Sequence, residues 1–182
     1  MRKYQVFVFV LVLAISFYSC GNATRSDKSS KEATNLVKQL EDGTISLQID
    51  KAFCYNNETN PSYNAAEWSL VVTKSGRYNV WLSSATIDTL DLQYTSNVTL
   101  NMQEKQLNAK PVNHKVIHYA NGVKYPYFRA DSFLGEFYIQ EPGEYTVQLI
   151  SDKVIAESAL ITSSQGVKHT KVLSVFMTPL TR

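Results

Sequence analysis

Apolar and polar residues alternate along the chain from Thr44 onward, in short runs that turn sequences separate. Gly76 closes one such turn, and Pro142 and Gly143 form another. A period of two places every second side chain on one face of a strand, so each run predicts a strand with one buried face. The inward-facing sets that this pattern predicts are Ile45, Leu47 and Ile49; Ala66, Trp68, Leu70 and Val72; Tyr78, Val80 and Leu82; Leu90, Leu92 and Tyr94; Val98, Leu100 and Met102; Phe133, Phe137 and Ile139; and Tyr145, Val147 and Leu149.

These runs predict an all-β domain over residues 44–182. Residues 171–177 are almost continuously apolar and predict a final core strand. No helical pattern of any length interrupts the strands, which argues against an α/β fold. Short alternating strands with turns between them are typical of an antiparallel β-sandwich.

A helical spacing precedes the strands. Ser29 and Glu32 form a capping box, and Ala33, Leu36, Val37 and Leu40 follow at intervals of three and four. Gly43 is placed to end the helix. The spacing predicts a short amphipathic helix over residues 31–42, which either packs on the edge of the domain or binds a partner; we favour the first.

The N-terminal segment has the pattern of an export signal. Arg2 and Lys3 precede an apolar stretch over residues 6–18, which is short for a membrane span. The stretch ends at Ser19-Cys20-Gly21 and resembles the lipoprotein signals of Bacteroidetes-type bacteria. The resemblance implies that residues 1–19 are removed and that Cys20 is lipidated. Residues 20–30 would then be a flexible tether in the cell envelope, on the outer membrane. An ordinary signal peptide with an incidental Cys20 is the alternative.

The charge balance argues against a nucleic-acid partner. The chain has 18 Lys and Arg against 16 Asp and Glu, and two of the basic residues are Arg2 and Lys3. Without the signal peptide the protein is neutral and has no basic stripe, whereas nucleic-acid binding needs a positive surface.

Candidate ligand-binding residues lie in two long connections, residues 55–65 and 119–131. Both connections are rich in Tyr, Asn and Pro, a composition that is common in binding loops. On a predicted strand, Trp81 points away from the core set. It is therefore either a stacking platform or a side chain that the N-terminal helix or a loop covers. The candidates are Tyr55, Tyr63, Trp81, Asn121, Tyr125 and Tyr127, and we favour the loop residues slightly over Trp81.

Two segments share a layout of strand, Gly-x-Tyr turn and returning strand. They are EWSLVV followed by SGRYNVWL, and FYI followed by PGEYTVQL. Together with the closing run VLSVFM, this order resembles the galactose-binding-like jelly roll, which includes family 6 and family 35 carbohydrate-binding modules. The resemblance implies a jelly-roll β-sandwich that binds carbohydrate. Many such modules hold a structural calcium through a Glu of the opening strand, but here that strand carries Gln48 and Asp50 and no Glu. We therefore expect no cofactor, with a structural calcium as the lesser alternative.

Catalytic patterns are weak. His114 and His118 lie four residues apart on a predicted strand, about 13 Å from each other, which is too far to share a metal. Carboxylates such as Glu136 and Asp131 belong to no recognisable motif, and we expect most of them on solvated faces. We predict a non-catalytic, membrane-anchored module that binds glycan. An envelope lipoprotein for protein–protein interaction or assembly is the alternative, and a hydrolase is least favoured.

One further motif concerns modification. The sequence Asp88-Thr89-Leu90 resembles the acceptor for O-glycosylation in Bacteroidetes-type bacteria, which makes Thr89 a candidate site. An ordinary loop threonine is the favoured alternative.

Lipidation is directly testable. The wild-type protein should partition into detergent and incorporate a fatty-acid analogue, since two or three acyl chains anchor a protein stably. The Cys20→Ala variant should stay unprocessed or soluble and incorporate no label. A wild-type protein without label would contradict lipidation.

Overall fold

The structure is a computed structural model that describes residues 35–155 and 170–180. The predicted signal peptide, Cys20, the tether and the first residues of the predicted helix lie outside this range. Two sheets face each other. The six-stranded sheet holds β1 (Leu36–Lys38), β4 (Ala65–Val72), β10 (Gly143–Ile150), β6 (Val98–Met102) and β7 (Lys105–Ala109) in that order, with β3 (Phe53–Tyr55) also paired to β4.

The second sheet has five strands, in the order β2 (Ile45–Gln48), β11 (Lys171–Pro179), β5 (Gly76–Thr86), β9 (Phe128–Ile139) and β8 (Lys115–Ile117). Two 3-10 turns, Ile49–Lys51 and Pro61–Tyr63, complete the described elements. The described residues contain no helix long and apolar enough to cross a membrane.

The predicted β-sandwich is confirmed. Alternate residues of β4, β5, β6 and β10 meet between the two sheets, where their apolar side chains are buried. Trp68 is the largest fully buried side chain, and its Nε1 donates to the Gln48 carbonyl at 2.8 Å. That bond satisfies the indole N–H in the core and joins the first sheet to the end of β2 in the second.

The predicted helix over residues 31–42 is wrong where the structure describes it. Leu36–Lys38 forms β1, which pairs in parallel with β4 through the register Val37↔Leu70. The helical spacing held only four apolar residues, too few to stabilise an isolated helix in water. Pairing with β4 buries Val37 instead and provides backbone hydrogen bonds.

Gln39 holds this N-terminal segment in place. Its buried Nε2 donates to the Gly43 carbonyl at 2.7 Å and to the Tyr78 hydroxyl at 2.8 Å. Its Oε1 accepts from the backbone N–H groups of Thr73 at 2.9 Å and Lys74 at 2.7 Å. A buried amide with all these partners fixes the segment against the β4–β5 turn.

The predicted strand around Leu90 is also wrong. Leu90 is 95% exposed, and residues 87–97 form no strand. The Asp88 carboxylate accepts from the backbone N–H groups of Leu90 and Asp91, which closes a turn in place of a ladder. Leu92 and Tyr94 do reach the core, where the Tyr94 hydroxyl meets Ser84 Oγ at 2.7 Å.

A β-bulge at Gly135 corrects the predicted orientation of Phe133. Val80 pairs with Gly135, but the next residue, Trp81, pairs with Phe133. Leu134 is thus the extra residue and points into the core, while Phe133 turns to the outer face beside Trp81. Gly135 has φ +138°, a backbone conformation that favours glycine.

The strand registers gather the longer connections at one end of the sandwich. Ala65 at the start of β4 pairs with Ile150 at the end of β10, and Thr86 pairs with Phe128. The connections 49–64, 87–97 and 110–127 therefore share this end, which we call the loop end. The short turns after Met102 and Ile139 lie at the opposite end, the turn end.

Substituting the bulge glycine tests its importance. Gly135→Ala should lower the free energy of unfolding by about 1–3 kcal/mol, because a side chain strains this backbone. The new Cβ would also lie 3.2 Å from Leu107 Cδ2. Gly143→Ala is the matched control, since its Cβ would meet only Tyr145 at 3.9 Å. Equal effects of the two substitutions in urea denaturation would contradict this role of the bulge.

Candidate functional site

The outer face of the five-stranded sheet carries a row of aromatic rings. The register aligns Phe176 of β11, Trp81 of β5 and Phe133 of β9. The Trp81 and Phe176 rings are parallel to within 5° with centroids 6.2 Å apart, and Phe133 lies 5.2 Å from Trp81. His114 meets the Trp81 ring edge-on at 6.2 Å. Neighbouring rings thus flank Trp81, which is partly buried. Residues 36–42 do not form the helix that was one of the alternatives for covering it.

A polar row lies beside the rings, two residues closer to the loop end. It aligns Ser174, Ser83 and Asp131 on adjacent strands. Asp131 is only 3% exposed, although the sequence predicts a solvated carboxylate there. Its Oδ1 accepts from Ser83 Oγ at 2.6 Å and from Arg129 Nε at 2.8 Å, and its Oδ2 accepts from Arg129 Nη2 at 3.0 Å. Burial is tolerated because both carboxylate oxygens are bonded and the charge is paired.

Arg129 is held in one orientation. Asp131 binds one edge of the guanidinium, and the guanidinium carbon lies 5.5 Å from the centre of the Phe176 ring. The Arg129 side chain nevertheless stays 33% exposed. Because Asp131 binds one edge of this planar guanidinium and Phe176 packs against it, its remaining N–H donors point in a defined direction.

The exposed part of Arg129 lines a cavity of ≈ 410 Å³, which we call the outer-face cavity. Ser83 and Ser174 of the strands line it, and so do residues 121–123 of the long connection. Lys171 lines the cavity beside Arg129, and its Nζ lies 6.0 Å from the centre of the Tyr127 ring. The remaining lining includes the polar Gln48, Asp50 and Asn121 and the apolar Val123, Ile155 and Leu173.

The structure separates the predicted binding residues into two groups. Asn121 lines the outer-face cavity, and Tyr127 borders it through Lys171. Trp81 supports the cavity indirectly through Phe176, on which Arg129 packs.

The other three predicted residues do not line this cavity. Tyr63 is 66% exposed and Tyr125 is 90% exposed. Tyr55 is exposed on β3 of the other sheet, where its ring packs edge-on against Phe53 at 4.6 Å.

The sequence analysis did not identify the two cationic residues of the cavity, Arg129 and Lys171. A local signal was present for Arg129. Arg129 and Asp131 are two residues apart on a strand, so their opposite charges lie on one face within contact distance. For Lys171 no local signal exists, because it comes near Arg129 only through the pairing of β11 with β5 and of β5 with β9.

Groups for nucleophilic or metal chemistry do not converge in the part of the chain that is described. No cluster of at least three His, Cys, Asp or Glu side chains there could hold a metal ion. Burial raises the pKa of the Cys54 thiol, which disfavours the reactive thiolate. His114 Nδ1 accepts from the backbone N–H of Phe133 at 3.1 Å, and His118 packs against Phe128.

The candidate modification site lies at the loop end. Thr89 is half-buried, and its carbonyl accepts from Asn113 Nδ2. Hydrogen bonds from the backbone N–H groups of Leu90 and Asp91 lower the pKa of the neighbouring Asp88 carboxyl.

A second cavity of ≈ 520 Å³ lies at the turn end, between Lys105, Tyr138 and Tyr145. The Lys105 ammonium there already donates to the Tyr138 carbonyl, and the Tyr145 hydroxyl donates to the Glu141 carbonyl at 2.5 Å. In the outer-face cavity, by contrast, the Arg129 guanidinium keeps an open edge. We therefore take the outer-face cavity as the candidate binding site, although its volume is smaller.

Comparisons with known proteins identify the fold. No family model matches the sequence, and no curated protein matches it. An α-L-fucosidase from Vibrio sp. strain EJY3 is similar in structure, with 17% identity and a TM-score of 0.61, over 80% of this chain and 24% of that chain. The chain thus spans about a quarter of the fucosidase, and at this identity the match shows a shared fold.

Two further solved structures match less closely. A GH26-CBM35 β-(1,4)-mannanase from Podospora anserina has 8% identity and a TM-score of 0.44, over 78% of this chain and 29% of that chain. A CBM35 module, Xyl-CBM35 in complex with a glucuronic acid containing disaccharide, has 16% identity and a TM-score of 0.37, over 75% of this chain and 94% of that chain.

The buried ion pair makes a prediction about stability. Asp131→Ala should lower the free energy of unfolding by about 1–3 kcal/mol, because buried Ser83 loses its acceptor and Arg129 its partner. Asp50→Ala removes an exposed carboxylate of the same cavity and should change stability by less than about 0.5 kcal/mol. Guanidinium denaturation of both variants measures the difference, and a neutral effect of Asp131→Ala would contradict the structural role of the pair.

Proposed function

We propose that this protein is a non-catalytic glycan-binding module and that the ligand occupies the outer-face cavity. One observation carries the proposal. The cavity is a preformed concavity at the loop end in which several polar side chains converge on one space, and its central donor, Arg129, is already fixed by Asp131. Small-ligand sites typically combine such a concavity with a few positioned polar groups.

The lining offers partners for both the polar and the apolar groups of a sugar. A pyranose presents hydroxyl groups around its edge and C–H groups on its faces. Gln48, Asn121 and Lys171 offer hydrogen bonds to hydroxyl groups, while Val123 and Leu173 offer apolar contact. A hydroxyl group that is buried on binding loses its hydrogen bonds to water, so it needs a partner in the protein.

Preorganisation supports a binding role. The Asp131 pair and the Phe176 ring restrict Arg129 before any ligand arrives, so less conformational entropy is lost on binding. The comparisons contribute the sandwich fold alone, and the choice of ligand rests on the cavity.

The same proposal places the module on a membrane through a lipid on Cys20, in the cell envelope. It rests on the signal-like pattern of residues 1–20. Thr89 is kept as a candidate site of O-linked sugar, with an ordinary loop threonine as the favoured alternative. The intact mass of the native protein tests both modifications, since each adds a distinct increment to the peptide mass.

Two pairs of variants test the location of the glycan site. The purified protein should bind members of a glycan array, and Asn121→Ala and Tyr127→Ala should each weaken the highest-affinity interaction. Removing an interface anchor typically costs about 1–3 kcal/mol, which corresponds to about 5- to 150-fold in dissociation constant. Tyr63→Ala and Tyr125→Ala are the matched controls, because both side chains are exposed and lie outside the cavity.

Calorimetric titration of these variants distinguishes a glycan site in the cavity from a site elsewhere and from a role in protein interaction. Loss of affinity in the control variants alone would move the site to the exposed loop tyrosines. Failure to bind any glycan, together with specific capture of an envelope protein, would favour the interaction and assembly role instead.

A further inference from the structure

Resting on the proposed function, we infer that the ligand carries an oxyanion, a carboxylate or a sulfate, which the open edge of Arg129 binds together with Lys171. The inference concerns the chemical class of the glycan, which the shape of the cavity leaves open.

The guanidinium of Arg129 has an unused edge. Of its five N–H donors, Nε and Nη2 each direct one to Asp131, at 2.8 and 3.0 Å. The face of the group lies over Phe176. No acceptor among the described residues meets Nη1, so the edge formed by Nη1 and the second hydrogen of Nη2 remains for a ligand. Two N–H groups on one edge match the two oxygens of a carboxylate or sulfate.

Lys171 lies in the same row of the sheet. The register pairs Lys171 with Ala85, and Ala85 with Arg129. Strands are about 4.8 Å apart, so the two cationic residues begin about 10 Å from each other with only a methyl group between them. Both line the outer-face cavity. Two long cationic side chains that flank an alanine leave room between them for one anionic group.

The charges inside the cavity favour an anion over a neutral ligand. Asp131 offsets the charge of Arg129, but both of its oxygens are bonded within the protein and neither is left for a ligand. No carboxylate lies within ion-pair distance of Lys171 in the described part of the chain. Asp50, the carboxylate of the lining, is exposed, so water screens it. The remaining N–H donors of Arg129 and those of Lys171 are therefore open to a ligand, whereas the carboxylate of Asp131 is bonded within the protein and that of Asp50 is exposed to water.

A neutral sugar would desolvate these donors without returning a charge, whereas an oxyanion compensates them. An acidic glycan should consequently bind more tightly than its neutral counterpart on the same backbone.

The experiment compares matched ligands on the purified protein. A glycan array with neutral, uronate-bearing and sulfated members gives the strongest binder, which is then carboxyl-reduced or desulfated. Acidic members should bind best, and neutralisation should weaken binding by about tenfold to hundredfold, the scale of charge-assisted hydrogen bonds. If carboxyl reduction lowers the affinity, the recognised group is a carboxylate; if desulfation lowers it, the recognised group is a sulfate. Affinity should also fall as NaCl is raised.

Variants connect the effect to the two cations. Arg129→Gln and Lys171→Met should each reduce the affinity ratio between the acidic ligand and its neutralised form. Arg129→Lys keeps a positive charge but loses the paired edge, so it should recover only part of the ratio. Arg77→Gln is the matched control: it removes one positive charge from the same strand face, at the turn end and outside the cavity. Melting temperatures verify that each variant is folded.

The possible outcomes separate the inference from the proposed function. If the best binders are neutral, or if neutralised ligands keep their affinity, the oxyanion inference is wrong while glycan binding stands. The same follows if Arg77→Gln lowers the ratio as much as Arg129→Gln, since the effect would then be one of overall charge. If no glycan binds, the proposed function itself is contradicted.

Discussion

The buried carboxylate of Asp131 imposes the constraint on which the outer face of the sandwich depends. A charge in a water-poor site is stable only with partners, and Ser83 and Arg129 supply them from β5 and β9. The pairing has two consequences. It couples the two strands of the sheet on their outer side, and it prevents the Arg129 guanidinium from turning freely in water.

The surrounding residues make this arrangement suitable for binding. The bulge at Gly135 brings Phe133 to the outer face, where it packs beside Trp81, and Trp81 lies parallel to Phe176 beneath Arg129. These rings therefore act as a support under the guanidinium. Residues 121–123 line the same space from the long connection, and together they define a cavity with directed donors. The site thus combines rigid strands for positioning with a loop for enclosure.

The sequence predicts most of this fold and little of the site, for physical reasons that differ between residues. The strands around Trp68, Val80 and Val147 follow from a period of two, which is a local property. Leu36 to Leu40 satisfied a helical spacing, yet pairing with β4, a long-range contact, decided their structure. Asp131 was expected on a solvated face because it belongs to no recognisable motif, and one of its two partners, Ser83, is distant in sequence. Lys171 shares a row with Arg129 only through the pairing of β11 with β5 and of β5 with β9. Asn121 and Tyr127 were identified from loop composition, which favours binding residues without locating the site.

The most direct measurement of the central claim is the position of the bound glycan. Titrating the isotope-labelled protein with its strongest array ligand and recording amide chemical shifts would locate the contact without substitutions. Binding in the outer-face cavity predicts the largest changes at Asn121, Gly122 and the residues from Lys171 to Ser174, with the turn-end residues Gln103 and Lys105 unaffected. Changes concentrated at the turn end, or around Tyr63, would contradict the account.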